Sequence, residues 1–329
     1  MIRTVSAPLH IAAVTHPGLS GKQNEDRHAV SSYRISETDP TRSVFAMVSD
    51  GIGGHLAGEV AAEMAVETIS HMVAQSDGRR PLDVIDNAIQ VTSDAIALKG
   101  KDNTQRLGMG TTCACAWVIG NRLFTASVGD SRIYLLRNGV LMQLTVDHTW
   151  VQEALEKGIL DPEHVRNNPN LHVIRRYLGS PKTPQADTRL RLAKDESDTQ
   201  SRSNQGLRLR PGDLLLLCTD GLTDVVEDAE IEPSVRGRDL QVAARTLVDL
   251  AVKRNAQDNI TVVLLLVPWQ NLPDSQAVQT KTKPRNYWPW IILGLVILAL
   301  LALVISGLIL VYFRFIAPLI SIPTLRIYL

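Results

Sequence analysis

Three apolar runs in this sequence each end at an aspartate that stands beside a glycine. VFAMVSDG ends at Asp50, RLFTASVGDS at Asp130 and LLLLCTDG at Asp220, while Asp258 opens the run DNITVVLLLV. An apolar run of about four to seven residues predicts a strand that crosses the core. The aspartates should therefore emerge at strand ends. If those ends adjoin, four carboxylates meet at one edge of a β-sandwich.

Such a group of carboxylates predicts a metal site. Close carboxylates repel one another and raise each other's pKa unless cations neutralise them. All the donors are oxygens, and no histidine or cysteine shares their spacing, which favours Mg²⁺ or Mn²⁺ over Zn²⁺. Calcium is chemically possible, but the sequence has no D-x-D-x-D-G loop of an EF-hand. Because Asp-Gly is also a common turn, each pair taken alone has a structural interpretation. The acidic segment 24–26 (NED) adds to the group.

The elements that would position these residues are mostly strands. Apolar or alternating runs bounded by turn residues predict strands at 9–15, 27–34, 43–49, 111–118, 122–128, 132–137, 140–144, 213–219 and 260–267. Helical spacing occurs at 57–73, 84–98, 150–157 and 240–254. Strands that cluster, with helices in pairs, predict an α+β sandwich and not a Rossmann-type fold. The polar stretch 194–206 is expected to be a flexible hairpin loop.

Composition excludes several function classes. The 329 residues are 45% hydrophobic and 21% charged, which allows a sizeable core. Lysine plus arginine equals aspartate plus glutamate at 34 each, so no nucleic-acid partner is expected. Cys113, Cys115 and Cys218 lie in strand-like runs without zinc spacing and are expected to be buried and reduced.

The C-terminal part predicts a membrane anchor. From Trp290 to Phe313 the chain carries no charge over 24 residues, more than the roughly 20 needed to cross a bilayer. Lys281, Lys283 and Arg285 precede the span, against Arg314 and Arg326 after it, a charge bias that places the N-terminal side in the cytoplasm.

The expected organisation is a catalytic domain at 1–268, a flexible linker at 269–288, a transmembrane helix at 289–313 and a short extracytoplasmic tail at 314–329. The N-terminus has no continuous apolar region long enough for a signal peptide. The expected location is therefore the cell membrane, single-pass, with the catalytic domain in the cytoplasm.

Seven motifs occur in the order found in the metal-dependent protein phosphatases of type 2C. They are NED at 24–26, DGIGGHLAGEVAAE at 50–63, GMGTT at 108–112, VGDSRIY at 128–134, LTVDHT at 144–149, GDLLLLCTDGLTD at 212–224 and QDNITVV at 257–263. The chain resembles this family, and its bacterial members in particular, from about residue 12 to residue 267. The resemblance implies a four-layer α-β-β-α sandwich, in which paired helices flank a central antiparallel β-sandwich.

The resemblance also implies a set of metal ligands. Asp50 matches the carboxylate that bridges two metals, with the Gly51 carbonyl as a further ligand. Asp220 and Asp258 match the remaining ligands of the first metal. Glu25 and Asp26 match the acidic pair that serves the second metal, partly through water. Asp130, Asp220 and Asp224 match the positions that hold a third, weaker metal. Asp50, Asp220 and Asp258 would be the residues most directly involved in catalysis. The implied cofactors are two Mn²⁺ or Mg²⁺ ions, with a third site that can bind one more such ion.

Two positions depart from the family pattern. The arginine that commonly binds substrate phosphate, four residues before Glu25, is replaced here by Gly21. Lys22 is a candidate phosphate contact, but a solvated lysine is the simpler interpretation, because lysine lacks the bidentate fork of arginine. Ile52 stands where animal members have a histidine proposed as the general acid; His55 could donate a proton instead, although a role beside the helix start is the simpler interpretation.

Other motif residues are expected to support the site. Arg132 could orient the Asp130 loop or be a surface strand residue, and the first is favoured. His148 is expected to support the turn before the segment 150–180, which forms a flap beside the site in bacterial relatives. Thr111 and Thr112 should support the site by hydrogen bonding.

The expected activity is hydrolysis of phosphoserine and phosphothreonine in proteins by a metal-activated water, without a phospho-enzyme. The expected partners are phosphorylated proteins that a serine/threonine kinase produces, and the membrane. The alternatives are a catalytically weak pseudophosphatase that acts as a membrane-anchored signalling module, a partner-switching regulator, and a calcium-binding module.

Overall fold

The strand-rich pattern of the sequence folds into antiparallel sheets. The structure, a computed structural model, describes residues 1–53, 56–165 and 168–268. The strands are β1 (Ile2–Arg3), β2 (His10–His16), β3 (Arg27–Arg34), β4 (Arg42–Ser49), β5 (Gly51–Ile52), β6 (Gly110–Thr111), β7 (Cys113–Ile119), β8 (Arg122–Val128), β9 (Arg132–Arg137), β10 (Val140–Gln143), β11 (Leu207–Arg208), β12 (Leu214–Cys218) and β13 (Ile260–Leu266).

The chain also forms helices. They are α1 (Leu56–Gln75), α2 (Pro81–Lys101), α3 (Trp150–Glu156), α4 (Asp198–Ser203), α5 (Asp220–Thr223), α6 (Asp228–Val235) and α7 (Leu240–Lys253), with 3₁₀ turns at Thr104–Arg106 and Pro162–His164. One sheet has the strand order β1-β3-β4-β7-β8-β11, and the second has the order β10-β9-β12-β13-β2. β5 and β6 form a separate two-stranded pair.

The two sheets pack face to face, as the alternation of side chains between two different cores along a single strand shows. In β4, Val44, Ala46 and Val48 contact the core between the sheets, while Phe45 and Met47 face the opposite side. Successive side chains of a strand point to opposite faces, so a strand buried on both sides reads as a continuous apolar run. This explains why the central strands have no polar face.

The outer cores are built from small residues on the helices. Along α1, Ala57, Ala61, Ala65, Ile69 and Val73 are spaced four apart and are buried against the first sheet. Residues of α7 pack in the same way on the second sheet, together with residues of α5 and α6. Three stacked cores therefore separate four layers, α-β-β-α, and the predicted architecture is confirmed for the described residues.

The predicted long elements are confirmed within one or two residues at most ends, whereas several short ones were not predicted. The strands β1, β5, β6 and β11 and the helices α4, α5 and α6 are all short. The stretch 194–206 was expected to be a flexible loop, which is wrong in part, since it contains α4. Ser197 and Gln200 form a capping box at the start of that helix.

The predicted membrane anchor lies outside the described residues, as do the linker at 269–288 and the tail at 314–329. Among residues 1–53, 56–165 and 168–268, none of the helices has both the length and the apolar character needed to cross a membrane.

Candidate metal centre

Strand register brings the predicted acidic residues to one edge of the sandwich. Arg27 at the start of β3 pairs with Ser49 at the end of β4, so the 25–26 segment lies next to Asp50. Cys218 at the end of β12 pairs both with Val262 near the start of β13 and with Arg132 at the start of β9. Because neighbouring strands are antiparallel, the end of one and the start of the next share an edge.

The backbone around Asp50 is held by two threonines. The Asp50 carbonyl accepts hydrogen bonds from the Thr111 hydroxyl at 2.7 Å and from the Thr112 amide at 2.9 Å. The Asp50 amide donates to the Thr112 hydroxyl at 2.9 Å. Both threonines are fully buried, and their expected supporting role is confirmed by these contacts.

Close backbone packing beside Asp50 requires glycine. A Cβ on Gly51 would lie less than 3.0 Å from backbone atoms of Gly58 and Glu25, and a Cβ on Gly58 would clash with Gly51 in return. The first turn of α1 therefore packs directly on the turn after β4. This contact leaves the Gly51 carbonyl region beside the Glu25 side chain.

Contacts between distant parts of the chain position Glu25 and Asp26. The Glu25 amide donates to Asn259 Oδ1 at 2.7 Å, and Asn259 Nδ2 donates to the carbonyl of Pro17 at 3.0 Å. The Thr219 hydroxyl donates to Asp26 Oδ2 at 2.8 Å. Asn259 was not singled out from the sequence, although its place beside Asp258 in the QDNITVV motif was the available signal.

The short helix α5 carries Asp220 at its first residue and Asp224 just after its last. Gly221 allows α5 to pack against the segment of Asp258 and Asn259, because a Cβ there would lie less than 3.0 Å from the Asn259 carbonyl. The Asn259 amide donates to Asp258 Oδ1 at 2.8 Å. Asp220, Asp224 and Asp258 are thereby brought to the edge of the sandwich where Asp26 and Asp50 also lie, and this acidic edge is the rim.

Asp130 is positioned by a buried histidine. His148 accepts a hydrogen bond from the Gly129 amide on Nδ1 at 3.0 Å, and its own amide donates to the Gly129 carbonyl at 2.9 Å. His148 Nε2 lies 3.0 Å from Asp187 Oδ2, and Arg189 also donates to Asp187. With Nδ1 accepting, the ring carries its proton on Nε2 and donates to Asp187.

Burial and the charges of neighbouring carboxylates raise the pKa values of residues in this group. Burial and the neighbouring charges of Asp220 and Asp258 raise the pKa of Asp26 to about 7, against hydrogen bonds from threonines that lower it. Desolvation and then the Asp220 charge raise the pKa of Asp224 to about 7.

The other members of the cluster behave in the same way. Desolvation, followed by the charge of Asp220, raises the pKa values of Asp50 and Asp130 well above their usual range. Desolvation and then the Asp258 charge raise the pKa values of Asp220 and Glu25. Each carboxylate therefore loses solvation and lies close to others of the same charge.

The donor set fits divalent cations. Buried oxygens without a hydrogen-bond partner among the described residues occur on four of these side chains, namely Glu25 Oε1, Asp26 Oδ1, Asp130 Oδ1 and Asp220 Oδ1. Unpaired buried charges are costly, and such groups usually pair or coordinate metals. Oxygen-only donors suit Mg²⁺ and Mn²⁺.

The remaining predicted residues lie at different distances from this cluster. Lys22 is exposed, and its charge lowers the pKa of Glu25, so it lies at the edge of the rim. Arg132 donates to both carboxylate oxygens of Asp147 and to the Tyr134 hydroxyl at 3.0 Å, and its charge lowers the pKa of Asp130. His55 lies outside the described residues.

His172 was not predicted from the sequence and lies beside the rim. Its Nδ1 is 3.3 Å from Asp224 Oδ2. His172, Asp220 and Asp224 can each present one donor atom such that all three atoms lie within 4.8 Å of one another. The only sequence signal was a histidine within the segment predicted to lie beside the site.

Comparison with known proteins identifies similar chains. A family model described as Protein phosphatase 2C matches residues 17–157. The serine/threonine phosphatase stp of Listeria monocytogenes is 32% identical over 262 residues, which cover 78% of this chain and 95% of stp. The serine/threonine protein phosphatase PstP of Mycobacterium tuberculosis is 32% identical over 261 residues, 79% of this chain and 45% of PstP. The match thus spans about half the length of PstP.

Solved structures give the same result. The crystal structure of M. tuberculosis PstP/Ppp has a TM-score of 0.66 at 32% identity and covers 79% of this chain and 99% of that chain. The PstP catalytic domain in complex with two manganese ions has a TM-score of 0.64 at 31% identity and covers 78% and 97%. These matches confirm the resemblance drawn from the motifs, and the chain belongs to the protein phosphatase 2C family.

Proposed function

We propose that this protein is a metal-dependent protein serine/threonine phosphatase. The observation that carries the proposal is the rim where carboxylates from separate strand ends converge, four of them with a buried oxygen that has no hydrogen-bond partner among the described residues. The names of the relatives PstP and stp, both serine/threonine phosphatases, support the same activity.

The proposed ligand assignment follows the motif positions. Asp50 would bridge two cations, with the Gly51 carbonyl and then Asp220 and Asp258 completing the first site. Glu25 and Asp26 would serve the second site, partly through water. Asp130 and Asp224 would join Asp220 around a third cation. Manganese or magnesium is the proposed cofactor, supported by the oxygen donors here and by the two manganese ions in the PstP structure.

Cations bound at this rim would supply an activated water and would offset the charge of the phosphate oxygens. The protein's own contribution is to hold the carboxylates rigidly. The Asp50 backbone cannot shift without breaking its bonds to Thr111 and Thr112, and Glu25 is tied to Asn259. Such fixed geometry is what electrostatic stabilisation of a transition state requires.

Substrate phosphate would enter from the side of Lys22, whose ammonium lies close enough to Glu25 to lower the pKa of that carboxyl. Lysine attracts phosphate as a point charge without the bidentate geometry of arginine. We therefore expect weaker ground-state binding of phosphate than an arginine at position 21 would give.

The pseudophosphatase alternative has less support. A protein that had lost catalysis would be under no constraint to keep an acidic cluster whose members raise each other's pKa. Here Glu25, Asp26, Asp50, Asp220 and Asp258 are all present and are held by specific backbone contacts. Such a cluster is destabilising in the absence of cations.

We also propose that the chain is anchored by the apolar span at 289–313, with the catalytic domain cytoplasmic and phosphorylated products of a serine/threonine kinase as substrates. The support is the uncharged run of 24 residues and the basic residues that precede it. A reporter fused after Leu329 should report an extracytoplasmic end, and a cytoplasmic signal would overturn the orientation.

The activity is tested on the full-length, detergent-solubilised protein. We expect manganese-dependent release of phosphate from p-nitrophenyl phosphate and from a phosphothreonine peptide, abolished by a chelator and restored by Mn²⁺. Absence of release with Mn²⁺, Mg²⁺ and a range of phosphopeptides would refute the enzymatic function.

A further inference from the structure

A cleft lies beside the proposed metal centre. One wall is formed by Asp130, Arg132, Asp147, Asp220 and Asp224, and the other by α3 and residues near His172. The metal ligands proposed from the family pattern account for the first wall only. The second wall brings a nitrogen donor to the same cleft.

The backbone around His172 is anchored to the core of the protein. The Trp150 amide donates to the Val173 carbonyl at 2.8 Å, and the Arg175 amide donates to the His148 carbonyl at 2.7 Å. Ile174 also forms an antiparallel bridge with Thr149. His148 in turn holds the Gly129 backbone next to Asp130. The position of His172 relative to the rim is thus set by contacts of the three residues that follow it in the chain.

The charge of the cleft is strongly negative. Asp130, Asp220, Asp224 and Asp147 face it, against a single arginine, Arg132, among the lining residues. The Arg132 guanidinium is engaged by Asp147, with Nη2 at 2.6 Å from Oδ2 and Nε at 3.0 Å from both oxygens. Three carboxylates are therefore left without a matching cation in the lining of the cleft.

Two buried oxygens point to a missing cation. Asp130 is only 7% exposed, and its Oδ1 has no hydrogen-bond partner among the described residues. Asp220 Oδ1 is in the same state. A surface ion pair between His172 and Asp224 would by itself stabilise the protein little, because the His172 side chain is 61% exposed. It would also leave both oxygens unpaired.

We propose that His172 supplies an imidazole nitrogen to a third divalent cation held with Asp220 and Asp224, so that this cation fastens the segment around residues 171–175 to the strand-end rim. The inference rests on the proposed function for the other two cations. Imidazole binds Mn²⁺ better than Mg²⁺, which prefers oxygen and water ligands. The third site should therefore select Mn²⁺ more strongly than a site made of carboxylates alone.

The test measures Mn²⁺ binding by the full-length protein, with free Mn²⁺ followed by electron paramagnetic resonance. We expect three bound ions in the unsubstituted protein, the third the weakest. His172→Ala should weaken the affinity for the third Mn²⁺ by at least about 10- to 100-fold, which is the range produced by changes outside the ligand set. It should leave the affinities for the first two Mn²⁺ ions unchanged. His164→Ala is the matched control, because His164 is exposed in the same part of the chain and does not line the cleft.

Two further measurements separate ligation from a structural role. His172→Asp should restore the third ion but reduce its preference for Mn²⁺ over Mg²⁺. Trypsin cleavage at the exposed Arg175 and Arg176 should slow as the third Mn²⁺ binds, in the unsubstituted protein and in His164→Ala but not in His172→Ala.

The outcomes also distinguish this inference from the proposed function. Manganese-dependent phosphatase activity with only two ions bound, or an unaltered third ion in His172→Ala, would overturn the inference and leave the function standing. Absence of activity in the presence of three bound ions would overturn the function while leaving the role of His172 supported.

Discussion

Replacement of Asp220 by asparagine should change two measurable properties in opposite directions. Asp220 raises the pKa values of Asp26, Asp50, Asp130 and Asp224 through its charge. Asparagine keeps the shape and removes that charge. The metal-free protein should therefore become more stable, because each pKa unit of relieved repulsion corresponds to about 1.4 kcal/mol.

Metal binding should change in the other direction. Asp220 is proposed to contact more than one cation, and its Oδ1 has no other partner among the described residues. Changes outside the ligand set already cost about 10- to 100-fold in metal affinity. The loss of Mn²⁺ affinity in Asp220→Asn should therefore exceed about 100-fold, which corresponds to about 2.8 kcal/mol at about 1.4 kcal/mol per tenfold. Turnover with Mn²⁺ should fall by at least as much.

The matched control lies at the opposite end of the same strand. Asp213, just before β12, is buried and accepts from Arg137 Nη2 at 2.6 Å and Nε at 2.9 Å. Asp213→Asn breaks a buried ion pair and should destabilise the protein by about 3–5 kcal/mol. It should do so with and without Mn²⁺, and it should leave Mn²⁺ affinity unchanged.

The assay is thermal unfolding of the full-length protein in a chelator and in saturating Mn²⁺, with Mn²⁺ affinity measured separately. Bound metal stabilises the folded state in proportion to the logarithm of its saturation. If Asp220→Asn lowers the stability of the metal-free protein as Asp213→Asn does, or keeps near-normal Mn²⁺ affinity and turnover, the ligand assignment is wrong.

Three further predictions follow from the same geometry. Metal-free protein should gain stability as the pH falls from 7 towards 4, which thermal unfolding at a series of pH values would measure. The reason is that the pKa values of Asp26 and Asp224 are about 7 in the folded state and about 4 in the unfolded state. This stabilisation is complete below the unfolded pKa and is lost as the pH rises through about 7. Gly21→Arg should lower the KM for a phosphopeptide by about tenfold through charged hydrogen bonds, measured by steady-state kinetics. His148→Ala leaves the Gly129 amide without its acceptor and should weaken the third Mn²⁺ by about 10- to 100-fold, measured by metal titration.

Each of these predictions has a control or an opposing outcome. Saturating Mn²⁺ should reverse the pH trend, because protons compete with metal for the carboxylates; an unchanged trend would contradict the assignment. Gly21 has φ +71° with open space around it, so an arginine there carries a backbone cost of about 1–2 kcal/mol. Gly237→Arg, at φ +66° and also in open space, controls for that strain. His148→Asn should recover part of the lost affinity if hydrogen bonding to Gly129 matters, and none if only packing does.

Much of the candidate site could be predicted because strand ends are a local property. An apolar run that stops at Asp50, Asp130 or Asp220 places that residue at the edge of a sheet, whatever the partner strand is. The residue types then restrict the chemistry, since carboxylates without histidine or cysteine select hard cations. The ordered motifs of the family pattern then added Asp224 and the Gly51 carbonyl to the set.

Other parts of the site depend on contacts between residues far apart in the chain. Asn259 holds Glu25 across 234 residues, and Asp187 reaches His148 across 39. No local pattern marks these pairs, because a hydrogen bond across the fold depends on which loops the packed layers bring together. For the same reason, nothing in the local sequence distinguished His172 from other polar residues in a segment with loop signals.

The sequence by itself determined which residues end the buried strands, which donors they offer and which family pattern they follow. Only the tertiary structure decided that those ends share one edge, that Asn259 holds the Glu25 backbone there, and that a histidine faces Asp224. The physical reason is that strand and helix formation follow from local periodicity, whereas the meeting of carboxylates follows from the register of antiparallel strands and from glycine contacts that let loops approach closely.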